Sequence, residues 1–311
     1  MLSSKVSRRA ALASAAALPL AAGLGTGTRA LAAGHAAPSS SVHNTFGRGD
    51  FQVSTLLAGS RLVDENIQGI FGMNVSADEF ADVSAQNFIP ADKSQFYFTP
   101  TVVQTGSEVV LFDAGLSAAG TLAALNSAGI EAGDVTIVVI THMHGDHIGG
   151  LTDDNGNATY PNARYVTGQV EFDHWAAQGN DGFEAKVRPF AENMTFIDDG
   201  DDVVSGLTAV SAFGHTPGHM NYMIDSGGEQ VLLMADTANH YVWSLGYPEW
   251  EVRFDMDKAA AAATRKKILG MVAADKIPLI GYHMPFPGMG FVETRGEGGF
   301  RYVPVSYQMM L

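Results

Sequence analysis

The segment Thr141–His147 (THMHGDH) places three imidazoles and one carboxylate within six consecutive positions. Glycines within and directly after this segment allow the chain to turn sharply. Neutral imidazole nitrogens and carboxylate oxygens are suitable ligands for Zn²⁺, Fe²⁺ or Mn²⁺. Adjacent Asp146 and His147 cannot easily reach the same ion as both His142 and His144. The segment therefore predicts a metal site and indicates two neighbouring ions.

The chain contains no cysteine, which excludes disulfides, thiolate metal ligands and a cysteine nucleophile. Any metal must therefore be bound by histidine and carboxylate side chains. Candidate ligands also follow separate apolar runs that predict strands, and strand ends in a layered α/β fold open onto a shared edge. These residues are His142 after Val135–Thr141, His215 after Leu207–Phe213, Asp236 after Gln230–Ala235 and His283 after Lys276–Tyr282.

The apolar runs alternate with helix-like stretches, which predicts a mixed α/β fold without a fixed-period repeat. We expect one hydrolase domain over residues 51–311, preceded by a flexible lead-in over residues 33–50 that is rich in small and polar residues. The predicted helices cover Ser117–Ala128, Gln169–Ala177 and Asp257–Ala274.

Residues 1–32 resemble a secretory signal, because basic residues precede an Ala- and Leu-rich stretch from Ala10 to Leu24. The adjacent Arg8 and Arg9 are typical of twin-arginine export, and Ala30–Ala32 offers a small-residue cleavage site. The apolar stretch is shorter than the ~20 residues that span a bilayer, so we expect no stable membrane anchor. The predicted location is periplasmic or secreted.

The formal net charge is −15, and removal of residues 1–32 would make the chain more acidic. Such a field repels nucleic acid and favours neutral or cationic small substrates unless a local positive charge overrides it. The expected partner is therefore a small neutral or apolar ester or lactone and no nucleic acid. A homodimer is compatible with these features.

The HxHxDH segment, together with Gly214–His219 (GHTPGH), Ala235–Asp236 and Tyr282–His283, resembles the metallo-β-lactamase superfamily over roughly residues 51–311. The resemblance implies a four-layer αββα sandwich with two divalent ions, which we expect to be zinc, with Fe²⁺ or Mn²⁺ as alternatives. It implies that His142, His144 and His215 bind the first ion. It assigns Asp146, His147 and His283 to the second ion and Asp236 to the bridge.

Within that superfamily the chain is most similar to the methyl parathion hydrolase and lactonase-like group, through His283–Gly290 (HMPFPGMG) and Gly298–Tyr307. Related phosphotriesterases carry an aromatic residue in the loop after the Asp-x-Gly turn, whereas the corresponding loop of this chain, Leu116–Gly120, has none. We therefore expect a hydrolase in which a metal-bridging hydroxide attacks a lactone or aryl ester. Either Asp146 or Asp236 would relay a proton to the leaving oxygen.

The main alternative is an organophosphate phosphotriesterase that uses the same site, and β-lactam hydrolysis is less favoured. A mono-iron thiol dioxygenase of the same fold is a further alternative, although the complete second ligand set argues against it. A structural metal protein is disfavoured because such sites are typically closed by four protein ligands.

Other side chains are candidates for supporting roles. Asp113 follows a predicted strand and resembles the aspartate that supports the metal loop in the superfamily. His219 is a candidate for a hydrogen bond to a ligand or to a loop carbonyl. The candidates for an apolar substrate wall are Trp175, Phe286, Phe291, Phe96, Phe98 and Phe183.

Overall fold

The computed structural model describes residues 42–296 and 298–310. In chain order the strands are β1 (His43–Arg48), β2 (Phe51–Leu56), β3 (Gly59–Val63), β4 (Ser94–Phe98), β5 (Thr101–Gln104), β6 (Val109–Phe112), β7 (Ile137–Ile140), β8 (Arg164–Gly168), β9 (Met194–Ile197), β10 (Asp202–Val204), β11 (Leu207–Ser211), β12 (Met220–Ser226), β13 (Glu229–Ala235), β14 (Leu279–Gly281), β15 (Met289–Arg295) and β16 (Gly299–Pro304). The α-helices are α1 (Ala77–Gln86), α2 (Ala118–Ser127), α3 (Gly145–Ile148), α4 (Gln169–Gln178), α5 (Asp181–Lys186) and α6 (Lys258–Asp275).

Two seven-stranded sheets and one two-stranded sheet organise these elements. The first large sheet has the spatial order β1-β2-β5-β6-β7-β8-β9, and β6 to β9 are parallel. The second has the order β10 to β16 and contains one parallel pair, β13 with β14. The small sheet pairs β3 with β4 in antiparallel fashion.

The central strands are buried on both faces, and their alternate residues belong to different hydrophobic clusters. In β7, Ile137 and Val139 contact the cluster between the two large sheets, whereas Val138 and Ile140 face outward toward the helices. In β13, Leu233 lies between the sheets and Leu232 faces α6. This pattern follows from the two-residue period of a strand that is covered on both sides.

Helices cover both outer faces of the sheet pair. Side chains of α2, α3, α4 and α5 pack against the first sheet, and α6 packs against the second. A separate aromatic cluster joins α1 to the β3–β4 sheet. The layer order is therefore helix, sheet, sheet, helix, which confirms the expected αββα sandwich.

The three predicted helices are present, with ends that differ by one residue at most positions. The α2 helix begins after Ser117, whose hydroxyl accepts a hydrogen bond from the Gly120 amide, and the chain leaves it through Gly129 at φ 76°. The α6 helix begins after Asp257, whose carboxylate accepts from the Ala260 amide at 2.9 Å. Each such N-cap contributes about 1 kcal/mol to the helix.

The prediction of a flexible lead-in up to residue 50 was wrong for residues 43–48. These residues form β1, which pairs with β2 in register from His43 opposite Leu56 to Arg48 opposite Phe51. Phe46 of this edge strand is buried in the core between the sheets. The prediction failed because it relied on the small and polar residues around Phe46. The predicted signal at residues 1–32 and the lead-in residues 33–41 lie outside the described residues. Within the described part of the chain, no helix has both the length and the apolar character needed to cross a membrane.

Candidate metal centre

The seven predicted ligands converge at one edge of the two sheets. His142 lies two residues beyond β7, His144 directly precedes the short helix α3, and Asp146 and His147 are in that helix. The remaining three come from the second sheet, where His215 lies beyond β11, Asp236 directly follows β13 and His283 lies two residues beyond β14. Because β13 and β14 are parallel neighbours, Asp236 and His283 both follow strand ends at the same edge of the second sheet.

One cluster consists of three imidazoles. The Nε2 atom of His142 lies 3.1 Å from Nδ1 of His144, and that Nδ1 lies 3.0 Å from Nε2 of His215. A second cluster contains Asp146, His147 and His283. In that cluster Oδ2 of Asp146 lies 3.7 Å from Nε2 of His147 and 3.3 Å from Nε2 of His283.

Asp236 lies between the two clusters. Its Oδ2 is 3.3 Å from Nε2 of His215 and 3.2 Å from Nε2 of His283. Its Oδ1 is 3.3 Å from Nε2 of His147. Tetrahedral ligands at about 2.0–2.1 Å from a zinc ion lie about 3.3 Å apart. The spacing therefore fits two cations that share this carboxylate.

Two buried atoms support this fit. His147 Nε2 and Asp236 Oδ1 are inaccessible to solvent, and neither has a hydrogen-bond partner among the described residues. A buried polar atom without a partner costs about 1–3 kcal/mol. Both atoms point at the position that the second cation would occupy, so metal binding would satisfy them.

The electrostatics of the two clusters differ. Burial and the neighbouring His215 lower the pKa of His144 to about 3, which leaves its lone pair free for a metal at neutral pH. Burial also disfavours the charged form of His283, but Asp236 and Asp146 outweigh burial and raise the pKa of His283 to about 10. Asp236 and Asp146 thus favour a positive charge in the second cluster, and a bound divalent cation would provide that charge.

Asp113 forms hydrogen bonds to both ends of the HxHxDH loop. Its Oδ2 accepts a hydrogen bond from Nδ1 of His147 at 2.8 Å, and its Oδ1 accepts from the Thr141 amide at 2.9 Å. The backbone of Asp113 has φ 63°, an uncommon conformation for a residue other than glycine. This conformation directs the Asp113 carboxylate at the His147 ring, and the hydrogen bond to Nδ1 orients the ring so that Nε2 faces the site.

Replacing Asp113 with asparagine should weaken metal binding by about 10- to 100-fold, because the ring of His147 loses a charged acceptor. Competition with a chromophoric chelator would measure the change. The control is Asp78→Asn, which alters an exposed residue at the start of α1. Equal metal affinity in the two variants would show that Asp113 does not orient the ligand.

Sequence reasoning missed Asp255. Its Oδ1 accepts from Nδ1 of His215 at 2.9 Å, and its Oδ2 accepts from Nη2 of Arg265 at 2.6 Å. Asp255 and Arg265 are both buried. No sequence signal marked this pair, since Asp255 lies outside any motif and 40 positions from His215.

Glu171 was also missed, although it is completely buried. Its Oε1 accepts from the Met143 amide and from the indole of Trp175, at 2.9 and 2.7 Å. Its Oε2 accepts from the Thr216 hydroxyl and the Gly218 amide, at 2.7 and 3.0 Å. This one carboxylate therefore ties the HxHxDH loop to the turn that carries His215.

His219 is placed beneath the site. Its Nε2 accepts from the Asp236 amide at 3.1 Å, and burial lowers its pKa to about 3. On the other side, the Tyr282 hydroxyl donates to the Asp146 carbonyl at 2.6 Å, and its ring stacks on His147 at 3.9 Å between centroids. These contacts fix the backbone on which Asp236 and Asp146 stand.

A cavity of about 490 Å³ opens above the candidate metal centre. Asp146, Asp236, His144 and His283 form its floor, and Leu116 lies in its wall. The rest of the wall is formed by Arg61, Val63, Ile70, Phe96, Phe98, Gly145, Arg253 and Phe254.

The aromatic wall was only partly predicted. Phe96 and Phe98 line the cavity, whereas Phe286 and Phe291 do not. Phe291 is in β15 opposite Val303, and Phe286 precedes a cis proline in the turn after His283. Trp175 contacts the ring of His144 edge-on, but its N–H is bound to Glu171 and it does not line the cavity. Phe183, also predicted, is fully buried in the core.

Comparison with protein families matches residues 99–278 to the Metallo-beta-lactamase superfamily. These residues are more than half of the chain, and the protein therefore belongs to this superfamily. An N-acyl homoserine lactonase from Bacillus sp. is 26% identical over 153 residues, which is 49% of this chain and 57% of the relative. N-acyl homoserine lactonase AttM of Azorhizobium caulinodans is 28% identical over 115 residues, 34% of this chain and 41% of the relative. The chain thus spans about half the length of the curated relatives it matches.

Solved structures agree with this assignment. AidC, a dizinc quorum-quenching lactonase in complex with its product N-hexanoyl-L-homoserine, has a TM-score of 0.78 and 25% identity, over 86% of this chain and 99% of AidC. The hydrolase AbOPH of the β-lactamase superfamily also has a TM-score of 0.78, at 23% identity over 86% of this chain and 99% of AbOPH, and shows the fold alone.

Proposed function

We propose that this protein is a metal-dependent hydrolase that opens small lactones at a dinuclear zinc centre. The observation that carries the proposal is the position of Asp236 at the floor of the cavity. Its Oδ2 lies within 3.3 Å of His215 from one ligand cluster and of His283 from the other, and its Oδ1 lies 3.3 Å from His147. His142, His144 and His215 would hold one ion, and Asp146, His147 and His283 the other. Zinc suits these nitrogen and oxygen ligands and is the metal of the similar AidC.

Two such ions, when bound, lower the pKa of a water and polarise a carbonyl oxygen. The chain's own residues would orient the substrate and move protons. Phe96, Phe98 and Phe254 provide an apolar surface for the part of the substrate beyond the reacting group.

Asp146 is the better candidate than Asp236 for the proton relay. Its side chain is 23% exposed, whereas that of Asp236 is 4% exposed and faces four imidazoles. A carboxylate at the cavity surface can accept a proton from the attacking water and return it to the leaving alkoxide. The water oxygen bonds to the carbonyl carbon, the ring C–O bond breaks, and the protonated leaving oxygen gives a hydroxy-carboxylate as product.

Lactones are favoured over phosphotriesters by two observations. The loop Leu116–Gly120 contains no aromatic residue, whereas related phosphotriesterases carry one in this loop, and Leu116 lines the cavity. The similar proteins of stated activity are N-acyl homoserine lactonases. Convergence of Asp146, His147 and His283 argues against a mono-iron oxygenase, which would not need a second ligand set.

Removal of metal should abolish activity. After dialysis against a chelator we expect the rate of γ-lactone opening to fall by at least about 100-fold, because both the nucleophile and the oxyanion lose their cations. Adding back two equivalents of zinc should restore it.

An acyl-homoserine lactone, an aryl phosphotriester and a β-lactam are assayed together, and a faster phosphotriester reaction would reverse the proposed preference.

Export through the twin-arginine route to the periplasm or the exterior remains our expectation from residues 1–32. Fractionation of cells that express the full chain would test it, with Arg8→Lys/Arg9→Lys as the export-defective control. Full-length protein that stays in the cytoplasm at equal level in both strains would contradict it. A homodimer also remains a prediction.

A further inference from the structure

We propose that the natural substrate carries an anionic group, such as a carboxylate, on the chain attached to its lactone or ester, and that Arg61 and Arg253 bind this group. The inference rests on the proposed function and names the substrate class of the same site.

Eight arginines lie in the described part of the chain, and six of them contact an oxygen acceptor. The acceptors belong to Glu229 for Arg48, Val203 for Arg164, Glu184 for Arg188, Asp255 for Arg265, Asn87 for Arg295 and Glu293 for Arg301. The guanidinium groups of Arg61 and Arg253 have no hydrogen bond or ion pair to any described residue. Both line the cavity above the candidate metal centre.

The two arginines come from different parts of the fold. Arg61 is in β3 directly opposite Phe96 of β4, and both side chains line the cavity. Arg253 follows Val252, which bridges to Phe71, and its guanidinium lies 5.1 Å from the ring centre of Phe254. Both arginines are exposed, and each has a neighbouring aromatic residue in the cavity wall, Phe96 for Arg61 and Phe254 for Arg253.

The cavity thus has three chemically distinct zones. The ligand carboxylates and imidazoles form the floor, apolar side chains form the middle and two unpaired cations stand in the wall. A lactone with its carbonyl at the floor and an acyl chain along the apolar wall could place a terminal anion against a guanidinium. The planar fork of arginine matches a carboxylate with two parallel hydrogen bonds.

This inference revises the expectation of a neutral substrate that followed from the net charge of −15. A global negative charge repels anions at long range, but exposed charges farther apart than about 10 Å are largely screened at 0.1 M salt. Close to the cavity wall the guanidinium groups of Arg61 and Arg253 can attract an anion, because no described carboxylate is paired with either.

The test uses two γ-butyrolactones whose identical acyl chains end in a carboxylate or in a carboxamide. We expect kcat/KM for the anionic compound to exceed that for the neutral one by about tenfold, mainly through KM. Arg61→Gln and Arg253→Gln should each reduce the ratio, and the double variant should bring it near one. The matched control is Arg301→Gln on β16, which should leave the ratio unchanged.

Reversing the charge of both residues predicts a change of substrate preference, which a loss of folding would not produce. In Arg61→Glu/Arg253→Glu the preference should shift to a third compound whose chain ends in an ammonium group. Raising the salt concentration to 1 M, where the screening length is about 3 Å, should reduce the preference of the wild type. A ratio near one in the wild type, or an unchanged ratio in the double variant, would overturn the inference.

Binding separates this inference from the proposed activity. The γ-lactam analogues of the two compounds resist opening, and calorimetry gives their dissociation constants for the metal-loaded protein. Tighter binding of the anionic lactam without turnover of either lactone would refute lactonase activity and keep the anion site. Turnover of both lactones at equal kcat/KM, with equal lactam affinities, would keep the activity and refute the anion site.

Discussion

Replacement of Asp236 by alanine is expected to abolish lactone opening and to release at least one metal ion per chain. The carboxylate approaches His142, His215, His147 and His283 within 3.2–3.9 Å, so its removal takes one ligand from each cluster. The remaining imidazoles cannot hold two cations at a fixed separation, and the reaction loses the charge that stabilises its transition state. We expect kcat/KM to fall by a factor on the order of 10³.

Rate and metal content are measured on the same samples, with circular dichroism to verify folding. Asp236→Asn retains one oxygen and the shape of the side chain, and should keep more metal than the alanine variant. Asp92→Ala changes an exposed loop aspartate and should behave as the wild type. Full activity with two bound ions in Asp236→Ala would refute the bridging role.

The second large effect concerns stability. Arg265→Met should lower the free energy of unfolding by about 3–5 kcal/mol, because Asp255 would keep its charge in a buried position without its cation. Arg265 is 1% exposed and also donates to the carbonyl oxygens of Thr237 and Pro248, both at 2.9 Å. Its loss therefore leaves several buried acceptors unpaired. Urea denaturation of the metal-loaded protein would measure the change.

Arg301→Met is the matched control, since Arg301 pairs with Glu293 on the surface and should cost no more than about 1 kcal/mol. In Arg265→Met/Asp255→Leu the buried charge is gone and part of the stability should return. The metal affinity of this double variant should be lower than that of the wild type, because Nδ1 of His215 has lost Asp255 as its hydrogen-bond acceptor. A cost for Arg265→Met equal to that of Arg301→Met would show that the buried pair is not needed.

Much of the metal centre could be predicted from the sequence because its ligands follow rules of local pattern. The HxHxDH loop concentrates donors within one turn, and His215, Asp236 and His283 each follow a recognisable apolar strand. Parallel strands end at a common edge, so residues far apart in the chain could be expected to meet there. The layer order followed from the family resemblance.

The supporting residues could not be predicted because their partners are set by tertiary packing. Glu171 lies within the helix α4, where a carboxylate is ordinarily solvated, and only the fold shows that two metal-binding loops surround it. Asp255 and Arg265 likewise meet only in the folded chain. The wall residues Phe286 and Phe291 were chosen for closeness to His283 in sequence, but a turn and a strand direct them elsewhere.

The metal content of the purified protein tests the central claim most directly. Plasma mass spectrometry of the purified chain, expressed with zinc, iron and manganese all supplied, should find about two divalent ions per chain. The same measurement should find no more than about one ion in Asp236→Ala. A single iron per chain in the wild type, or no bound metal in a fully active enzyme, would contradict a dinuclear centre.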